Sequence, residues 1–372
     1  MVNSLCLRSR CLYHSGMMQK IPVMLPKLPS FPQVANYLKE MDDARIYSNR
    51  GPLLTKLEKR LSDFFNVDED LLVVCANATL ALQGTAFLIP PRNFYVPTFT
   101  FPATLTSVIN AGKNLQLCDV NPNDWTIASQ DLVMDSNHTL IEVLPFGAPF
   151  ESKKNSNWNF CIVDAAASTG SEALDLSNLK SNWAVVFSLH ATKVLGIGEG
   201  GAVVFGSKAF ADEFRTWINF GFSGSRESKI PGINGKMSEI AAAYGLATLD
   251  QWKIEKSEWN SAKETAINIA KKLGIESITS SYEGVSPYWI ADFGNAETVK
   301  RVELALESKG IETRRWWGMG CHNMPAFSQW ASGGFPISDI IAQRTLGLPM
   351  FRDLDSESFE RIFLALSQVL EE

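Results

Sequence analysis

Short apolar segments alternate with helical segments along the first two hundred residues of this chain of 372 residues. Apolar runs of this kind predict strands buried on both faces, and apolar residues three and four positions apart predict helices between them. A chain with this order forms a mostly parallel sheet covered by helices on both sides. The predicted fold class is therefore α/β. We expect strands at 71–75, 94–97, 115–120, 140–144 and 160–164.

The same patterns predict helical pieces over 29–61 with a break at 46–52, and helices at 80–88, after Pro102 and at 238–252. Towards the C-terminal end the character changes. We expect a strand at 288–293, a helix at 296–309, a strand beginning within 310–317 and a last helix at 356–370. This order indicates a second, smaller α+β domain.

Parallel sheets bind ligands at the carboxyl ends of their strands. Asn77, Pro97, Asp164 and Lys193 all lie at or near such predicted ends. The sequence therefore predicts that residues far apart along the chain meet at one edge of the sheet.

Residues 185–204 consist of an apolar run, a polar stretch with one lysine, a glycine-rich bend and a second apolar run. This pattern predicts strand, turn and strand, with Lys193 just after the first strand. Burial there would favour the neutral amine, which is a nucleophile toward carbonyls. A solvated turn lysine is the simpler alternative. We expect the polar side chains of this window to surround Lys193, namely Ser188, His190, Thr192 and Glu199.

This window is similar, almost residue for residue, to the cofactor-lysine segment of the sugar aminotransferases of the DegT/StrS family. The resemblance implies that Lys193 carries pyridoxal 5'-phosphate (PLP) as a Schiff base, with His190 as a supporting residue. It also implies an aspartate aminotransferase-like fold, with a mostly parallel seven-stranded sheet in the large domain and a smaller α+β C-terminal domain. We expect the large domain at 21–250, with its N-terminal segment near the small domain, and the small domain at 251–372.

Asp164 ends a predicted buried strand, where an aspartate is commonly a helix cap. The resemblance implies a sharper role, since a carboxylate beside the pyridine nitrogen of PLP keeps that nitrogen protonated. Its distance along the chain from Lys193 suits the family. Most members have Gln or His three residues after this aspartate, touching the phenolic oxygen of PLP. This chain has Ala167 there and offers no side-chain donor.

Residues Ala78 and Thr79 begin a predicted helix, whose backbone amides and hydroxyl form an anion site. The family has Gly followed by Thr or Ser here, and it places a second hydroxyl where this chain has Ser188. The resemblance therefore implies that these three residues hold the cofactor phosphate.

The segment 96–104 resembles a family motif in which an aromatic residue, here Phe101, stacks on the cofactor ring. A phenylalanine packed in the core is the alternative. Residues 232–239 resemble the segment in which an Asn, here Asn234, reaches the cofactor phosphate of the other subunit. The alternative is a loop with Asn-Gly turn chemistry. Carried over, the motif implies a homodimer with composite active sites.

Substrate-binding residues follow from three further resemblances. The loop 47–52 is similar to the family loop beside the sugar. Lys236 matches the family's cation close to the phosphate-binding Asn. The late segment with Arg314, Trp317 and His322 resembles the family segment near the nucleotide diphosphate. Arginine suits a pyrophosphate because its planar fork pairs two oxygens at once. The implied substrate-binding residues are Tyr47, Asn49, Arg50, Lys236, Arg314, Trp317 and His322.

Composition excludes several classes of partner and site. A formal net charge of −6 argues against nucleic acid and anionic membranes as partners, and no apolar run reaches the length of a membrane span. Six scattered cysteines form no CxxC pair and no metal spacing, which is typical of reduced thiols in a cytoplasmic protein. Residues 1–20 are basic and contain serine, as in a transit peptide. Later methionines offer conventional starts, so we favour a disordered leader.

The motifs occur in family order from Tyr47 through the landmark at 346–350. They imply an aminotransferase in which L-glutamate converts PLP to pyridoxamine phosphate (PMP). PMP then aminates a nucleotide-linked 4-keto-6-deoxyhexose, making an amino sugar. A 3-keto sugar aminotransferase is the alternative within the family. A PMP-dependent sugar dehydratase is a further alternative, and Lys193 argues against it because those enzymes carry histidine at this position.

Two alternatives come from other classes of protein. One is a non-catalytic PLP-binding regulator, which retention of Lys193, Asp164 and both hydroxyls argues against. The other interprets residues 196–201 as a nucleotide-phosphate loop. A dinucleotide fingerprint requires a following helix, and here a strand is expected.

Overall fold

A computed structural model describes residues 19–130 and 132–371 of the chain. Residues 1–18 of the predicted leader lie outside the described residues. The helices are α1 (Phe31–Ala44), α2 (Pro52–Phe65), α3 (Ala78–Leu88), α4 (Pro102–Asn110), α5 (Lys208–Trp217), α6 (Glu239–Leu273), α7 (Ala296–Ser308), α8 (Pro336–Arg344) and α9 (Ser356–Glu371). The strands are β1 (Leu72–Cys75), β2 (Asn93–Pro97), β3 (Asn114–Cys118), β4 (His138–Val143), β5 (Cys161–Asp164), β6 (Trp183–Ser188), β7 (Gly201–Phe205), β8 (Glu276–Ser277), β9 (Trp289–Asp292) and β10 (Thr345–Leu348).

Seven strands form one sheet in the order β1-β7-β6-β5-β4-β2-β3. The pairs from β6 through β3 are parallel, whereas β7 is antiparallel to both of its neighbours, β1 and β6. The carboxyl ends of the other six strands therefore point to one edge of the sheet. The predicted mostly parallel seven-stranded sheet is confirmed.

The central strands of this sheet are buried on both faces, as their continuous apolar sequences predict. Alternate side chains enter two separate cores. On one face the core includes apolar residues of α1, α2 and α6, and on the other it includes those of α3, α4 and α5. Helices thus cover both faces of the sheet. A ligand is therefore expected at the edge formed by the carboxyl ends of the strands.

A three-stranded antiparallel sheet, in the order β10-β9-β8, lies in the C-terminal part of the chain. Its core contains apolar residues of α7 and α9. The N-terminal segment joins this part, since Ile21 bridges Ile311 in parallel and the Met350 amide donates to the Val23 carbonyl at 3.1 Å. We keep the two-domain division as a proposal, with the large sheet ending before residue 206 and the small sheet beginning after residue 275.

Helix α6 spans 35 residues and crosses the predicted boundary at residue 250. The Ser238 hydroxyl caps its start by accepting from the Ala241 amide, and Gly274 ends it in the left-handed conformation with φ of 65°. Its first half contributes to the core under the large sheet and its second half to the core of the small sheet. The helix predicted at 238–252 is thus correct but too short.

One predicted strand is wrong. Residues 310–317 contain only two isolated bridges, from Ile311 to Ile21 and from Arg314 to Gly347. The chain then turns at Arg315, whose carbonyl accepts from the Gly318 amide at 3.1 Å, so no continuous ladder forms. No helix in the described part of the chain has the length and apolar character needed to cross a membrane.

Candidate active site

The carboxyl edge of the large sheet brings together most of the predicted cofactor residues. Asp164 is the last residue of β5, Ser188 is the last residue of β6, and Ala78 begins the helix that follows β1. Because β1, β5 and β6 run in the same direction, their carboxyl ends meet at one edge. Lys193 lies in the loop that joins β6 to β7 at this edge.

The side chain of Lys193 points towards the small sheet. Its ammonium donates a hydrogen bond to the hydroxyl of Tyr288, which precedes β9, and the two atoms are 2.6 Å apart. No hydrogen bond between described residues joins the Lys193 ammonium to the neighbouring polar side chains, so their grouping around this lysine stays a prediction. The His190 ring pairs with the Thr192 hydroxyl at 2.8 Å and approaches Glu199 at 3.7 Å.

Asp164 is buried, with 6% of its surface exposed. Its Oδ2 accepts from the Thr104 hydroxyl at 2.7 Å, and its Oδ1 accepts from the Ala166 amide at 3.2 Å. Burial raises the pKa of this carboxyl, while both hydrogen bonds and the charge of Lys193 oppose the rise. The site therefore holds a buried carboxylate that favours a positive charge beside it.

The N-terminus of α3 lies against the first residue of β7. A side chain at Gly201 would place its Cβ 2.6 Å from the backbone of Asn77, so only glycine allows this approach. Gly201 pairs with Ser188 across the ladder, so Ser188 is the strand neighbour of the residue that meets the start of α3. Thr79 is exposed in the first turn of the same helix. The arrangement offers amides and hydroxyls to an anion.

Phe101 caps α4 at the carboxyl end of β2 and leaves 59% of its surface exposed. Burying an exposed aromatic ring is favourable, and a planar ligand can do so by stacking. The structure thus disfavours the alternative of a core phenylalanine.

A second group of predicted residues lines a cavity whose lining does not include Lys193. Asn49, Arg50 and Lys236 line one cavity of about 380 Å³ together with Glu58, which binds Arg50 at 3.0 Å. The Lys236 ammonium lies 4.3 Å from the centre of the Phe220 ring. Burial lowers the pKa of Lys236. Tyr47 and Asn234 are exposed nearby along the chain, and no hydrogen bond or aromatic contact between described residues joins this group to Lys193.

The late predicted residues lie on the small-sheet side of the site. Trp317 stacks on Phe146 with ring centres 4.2 Å apart, and Phe146 in turn contacts Tyr288. Arg314 is exposed with its guanidinium over the Trp316 ring. The side chain of His322 is 7% exposed and its Nε2 lies 2.9 Å from Asp339, so this side chain is held within the fold.

Two residues at the centre of the site were given no role by the sequence analysis. Tyr288 is 95 residues away from Lys193 in the sequence, and Thr104 is 60 residues away from Asp164. No local sequence pattern marks pairs so far apart. The threonine does lie within the motif that contains Phe101, which is the one signal that could have identified it.

These features fit PLP. An amine, a buried carboxylate, an exposed ring and an anion site at a helix N-terminus are the groups that this cofactor needs. The sequence matches the DegT/DnrJ/EryC1/StrS aminotransferase family over residues 32–367. The chain belongs to this family. Its members are PLP-dependent aminotransferases, so the predicted family, activity and cofactor are confirmed.

Individual members of the DegT/DnrJ/EryC1/StrS family are similar along nearly the whole chain. The dTDP-4-amino-4,6-dideoxy-D-glucose transaminase of Shigella dysenteriae is 27% identical over 372 residues, which is 95% of this chain and 100% of the relative. GDP-perosamine synthase of Escherichia coli O157:H7 is 26% identical over 91% of this chain and 96% of its own length. The crystal structure of DesI with its TDP-sugar product has a TM-score of 0.84 and 25% identity, and it covers 95% of this chain and 94% of DesI. The predicted aspartate aminotransferase-like fold is confirmed.

Proposed function

We propose that this enzyme transfers the amino group of L-glutamate to C4 of a dTDP-linked 4-keto-6-deoxyhexose. The name of the Shigella relative and the TDP-sugar product of DesI support a substrate of this class. The amino sugar would serve polysaccharide, O-antigen or glycoside synthesis. We place the enzyme in the cytoplasm, in keeping with the free, buried cysteines of the described chain: Cys75, Cys118, Cys161 and Cys321.

The observation that carries this proposal is the position of Lys193 near Asp164 at the carboxyl edge of the sheet. The amine is half-buried. Burial raises the pKa of the carboxyl, and the charge of Lys193 is one of the effects that oppose this rise. Bound PLP supplies an electron sink, so that a proton can leave the carbon that bears the transferred amino group. Lys193 would hold the cofactor and carry that proton.

Asp164 would keep the ring nitrogen of the cofactor protonated. A buried carboxylate stabilises a neighbouring positive charge strongly because little water screens the pair. Its hydrogen bonds from Thr104 and the Ala166 amide fix the carboxylate plane. Phe101 would cover one face of the ring and limit access of water.

The first amides of α3, with Thr79 and Ser188, would hold the cofactor phosphate. The helix dipole adds to the hydrogen bonds at this position. Asn77 already caps the helix by accepting from the Leu80 amide at 2.9 Å, so the cap leaves the neighbouring amides for a ligand.

We further propose a homodimer with composite sites. The group with Tyr47, Arg50, Asn234 and Lys236 would serve the site of the partner subunit, with Asn234 on the phosphate. The cavity lined by Arg50 and Lys236 does not include Lys193 in its lining, which supports the idea. A site within one chain is the competing arrangement, because the Gly235 carbonyl accepts from the Ala76 amide at 2.8 Å, close to the start of α3.

On the nucleotide side, Arg314 and Trp317 would contact the diphosphate and its surroundings. The exposed guanidinium can pair two phosphate oxygens, while Arg315 is already committed to Glu303 through two bonds of 2.8 and 2.7 Å. His322 would support this segment through its bond to Asp339.

The decisive experiment supplies L-glutamate with dTDP-, GDP- and UDP-linked 4-keto and 3-keto sugars. Mass spectrometry and NMR then identify any amino product and the aminated carbon. We expect amination at C4 of the dTDP-linked 4-keto-6-deoxyhexose, and none by Lys193→Ala. Amination at C3 would select the 3-keto alternative. If bound PLP keeps its visible absorbance with glutamate present, the protein is a regulator and the proposal is wrong.

A further inference from the structure

Position 167 leaves the cofactor's phenolic oxygen without the side-chain donor that most of the family provides. Ala167 packs against the aromatic cluster that contains Phe146 and Tyr288. A Cβ at Gly147 would come within 3.1 Å of the Ala167 carbonyl and 3.5 Å of the Ser286 hydroxyl, so these two residues flank the same glycine. The loop after β5 and the turn before β9 are therefore neighbours.

That turn supplies a hydroxyl. The Tyr288 oxygen accepts from the Lys193 ammonium at 2.6 Å. Because Tyr288 is the acceptor in this bond, its own hydroxyl proton is available to donate to another group. The structure thus places a phenol donor beside the amine that would hold the cofactor.

The ring of Tyr288 is held in this direction by its surroundings. It is 8% exposed and makes edge contacts with Phe146 at 5.4 Å and with Trp316 at 5.0 Å. Its amide donates to the Ser286 hydroxyl, which donates to the Phe146 carbonyl at 2.8 Å. A donor fixed by packing on several sides loses little entropy when it binds a ligand.

We propose that the Tyr288 hydroxyl donates a hydrogen bond to the phenolic oxygen of the bound cofactor and so replaces the side chain absent at position 167. The proposal rests on the proposed role of Lys193 as the cofactor lysine. Tyr288 lies in the turn that leads into β9 of the small sheet, whereas Ala167 follows a strand of the large sheet. The role has therefore moved from one part of the fold to the other.

The test titrates the visible absorbance of bound PLP with pH in the wild type and in Tyr288→Phe. A donor on the phenolic oxygen weakens that oxygen's hold on a shared proton. Its loss should raise the pH midpoint of the band by about one unit or more, which is about tenfold in the proton equilibrium. Adding Ala167→Gln to Tyr288→Phe should move the midpoint back.

The matched control is Tyr282→Phe, because Tyr282 is a buried tyrosine whose hydroxyl has no partner among the described residues. It should leave the midpoint unchanged. An unchanged midpoint in Tyr288→Phe overturns the proposal. If that variant binds no PLP, the double variant with Ala167→Gln decides: recovered binding supports the proposal and continued loss overturns it.

The spectra need no sugar substrate, so the two proposals can fail separately. A wild type with the pH-dependent band that aminates no nucleotide sugar would refute the proposed function and leave the role of Tyr288 standing.

Discussion

Thr104 donates a hydrogen bond of 2.7 Å to Asp164, and both side chains are buried. The Thr104 hydroxyl also lies 3.0 Å from that of Thr100, so two hydroxyls lead from the start of α4 to the carboxylate. Burial raises the pKa of Asp164, and Thr104 is the first of the groups that oppose it. The charge that the cofactor nitrogen needs therefore depends on a threonine from another part of the chain.

Removing this hydroxyl should move the acid limb of the pH–rate profile. Thr104→Val deletes a hydrogen bond to a charged group, a contribution of about 1.5–3 kcal/mol, and so raises the pKa of Asp164 further. Activity requires the ionised carboxylate. The acid limb of kcat/KM should thus shift up by about one to two pH units. Thr100→Val is the matched control and should shift the acid limb less. An unmoved acid limb for Thr104→Val would contradict the prediction.

Loss of the Asp164 charge should cripple both halves of the reaction. Asp164→Ala and Asp164→Asn should fold, yet retain PLP weakly and turn over orders of magnitude more slowly, since the ring nitrogen loses its counter-ion. Circular dichroism checks the fold, and equilibrium dialysis measures PLP retention. Near-native rates would reduce Asp164 to the role of a turn or cap residue.

Substitution of Lys193 should abolish turnover without abolishing cofactor binding. Lys193→Ala should bind PLP without the covalent link and lose several orders of magnitude in rate. Borohydride treatment of the native protein, followed by peptide mapping, should find the reduced cofactor on this lysine alone. Lys229→Ala, which changes an exposed surface lysine, is the control and should keep the native labelling by borohydride and the native turnover rate. A label on another lysine would refute the assignment.

Complementation tests the shared site directly. Asn234→Asp would place a carboxylate against the partner's cofactor phosphate and should abolish activity. Mixing it with Lys193→Ala under subunit exchange makes about half the dimers mixed, each with one intact site of two, so about a quarter of native activity should return. If differential tagging confirms exchange between two inactive parents and no activity returns, the residues act within one chain.

Glu142 should make stability depend on pH. Burial raises its pKa to about 7, and its Oε1 has no partner among the described groups. In the unfolded chain the carboxyl ionises near its ordinary value, so from about pH 4.5 to 7 the folded state binds more protons and stability falls as pH rises.

The size of this loss is on the order of 3 kcal/mol at pH 8. The free energy of unfolding of Glu142→Gln, relative to that of the wild type, should therefore be higher at pH 8 than at pH 5. Urea unfolding of both proteins at both pH values measures this difference. Glu151→Gln, at an exposed position, should show no such difference. An equal effect of Glu142→Gln at both values would contradict the prediction.

Local patterns were enough to predict most elements of the fold. The strands that end at Cys75 and Asp164 were found from short apolar runs because burial on both faces leaves such runs in the sequence. Helix α6 was predicted too short, since only Glu255 is buried between Thr248 and Trp259, where the helix passes from one core to the other. The segment 310–317 has strand-like composition, but its pairing depends on Ile21 and Gly347, which are distant in sequence.

The candidate site was predictable only in part, for the same reason. Lys193 and Asp164 are marked by family motifs and by strand ends. The Lys193 side chain bonds to Tyr288, which directly precedes a strand of the other sheet. The predicted grouping of Ser188, His190 and Glu199 around the lysine rests on their closeness in sequence and stays a prediction. The contacts of this turn join His190 to Thr192 and Glu199.

The pairing of the N-terminal segment with the small sheet has a consequence for synthesis. Ile21 exchanges backbone hydrogen bonds with Gly310 and Glu312, and Val23 donates to Glu312 across 289 residues. During translation, the early segment must wait until these late residues have left the ribosome. The large sheet, by contrast, is complete in sequence by Phe205. Closing such long loops is slow, so the growing chain should present an assembled large sheet before its small sheet forms, with Ile21 and Val23 among the last residues to dock.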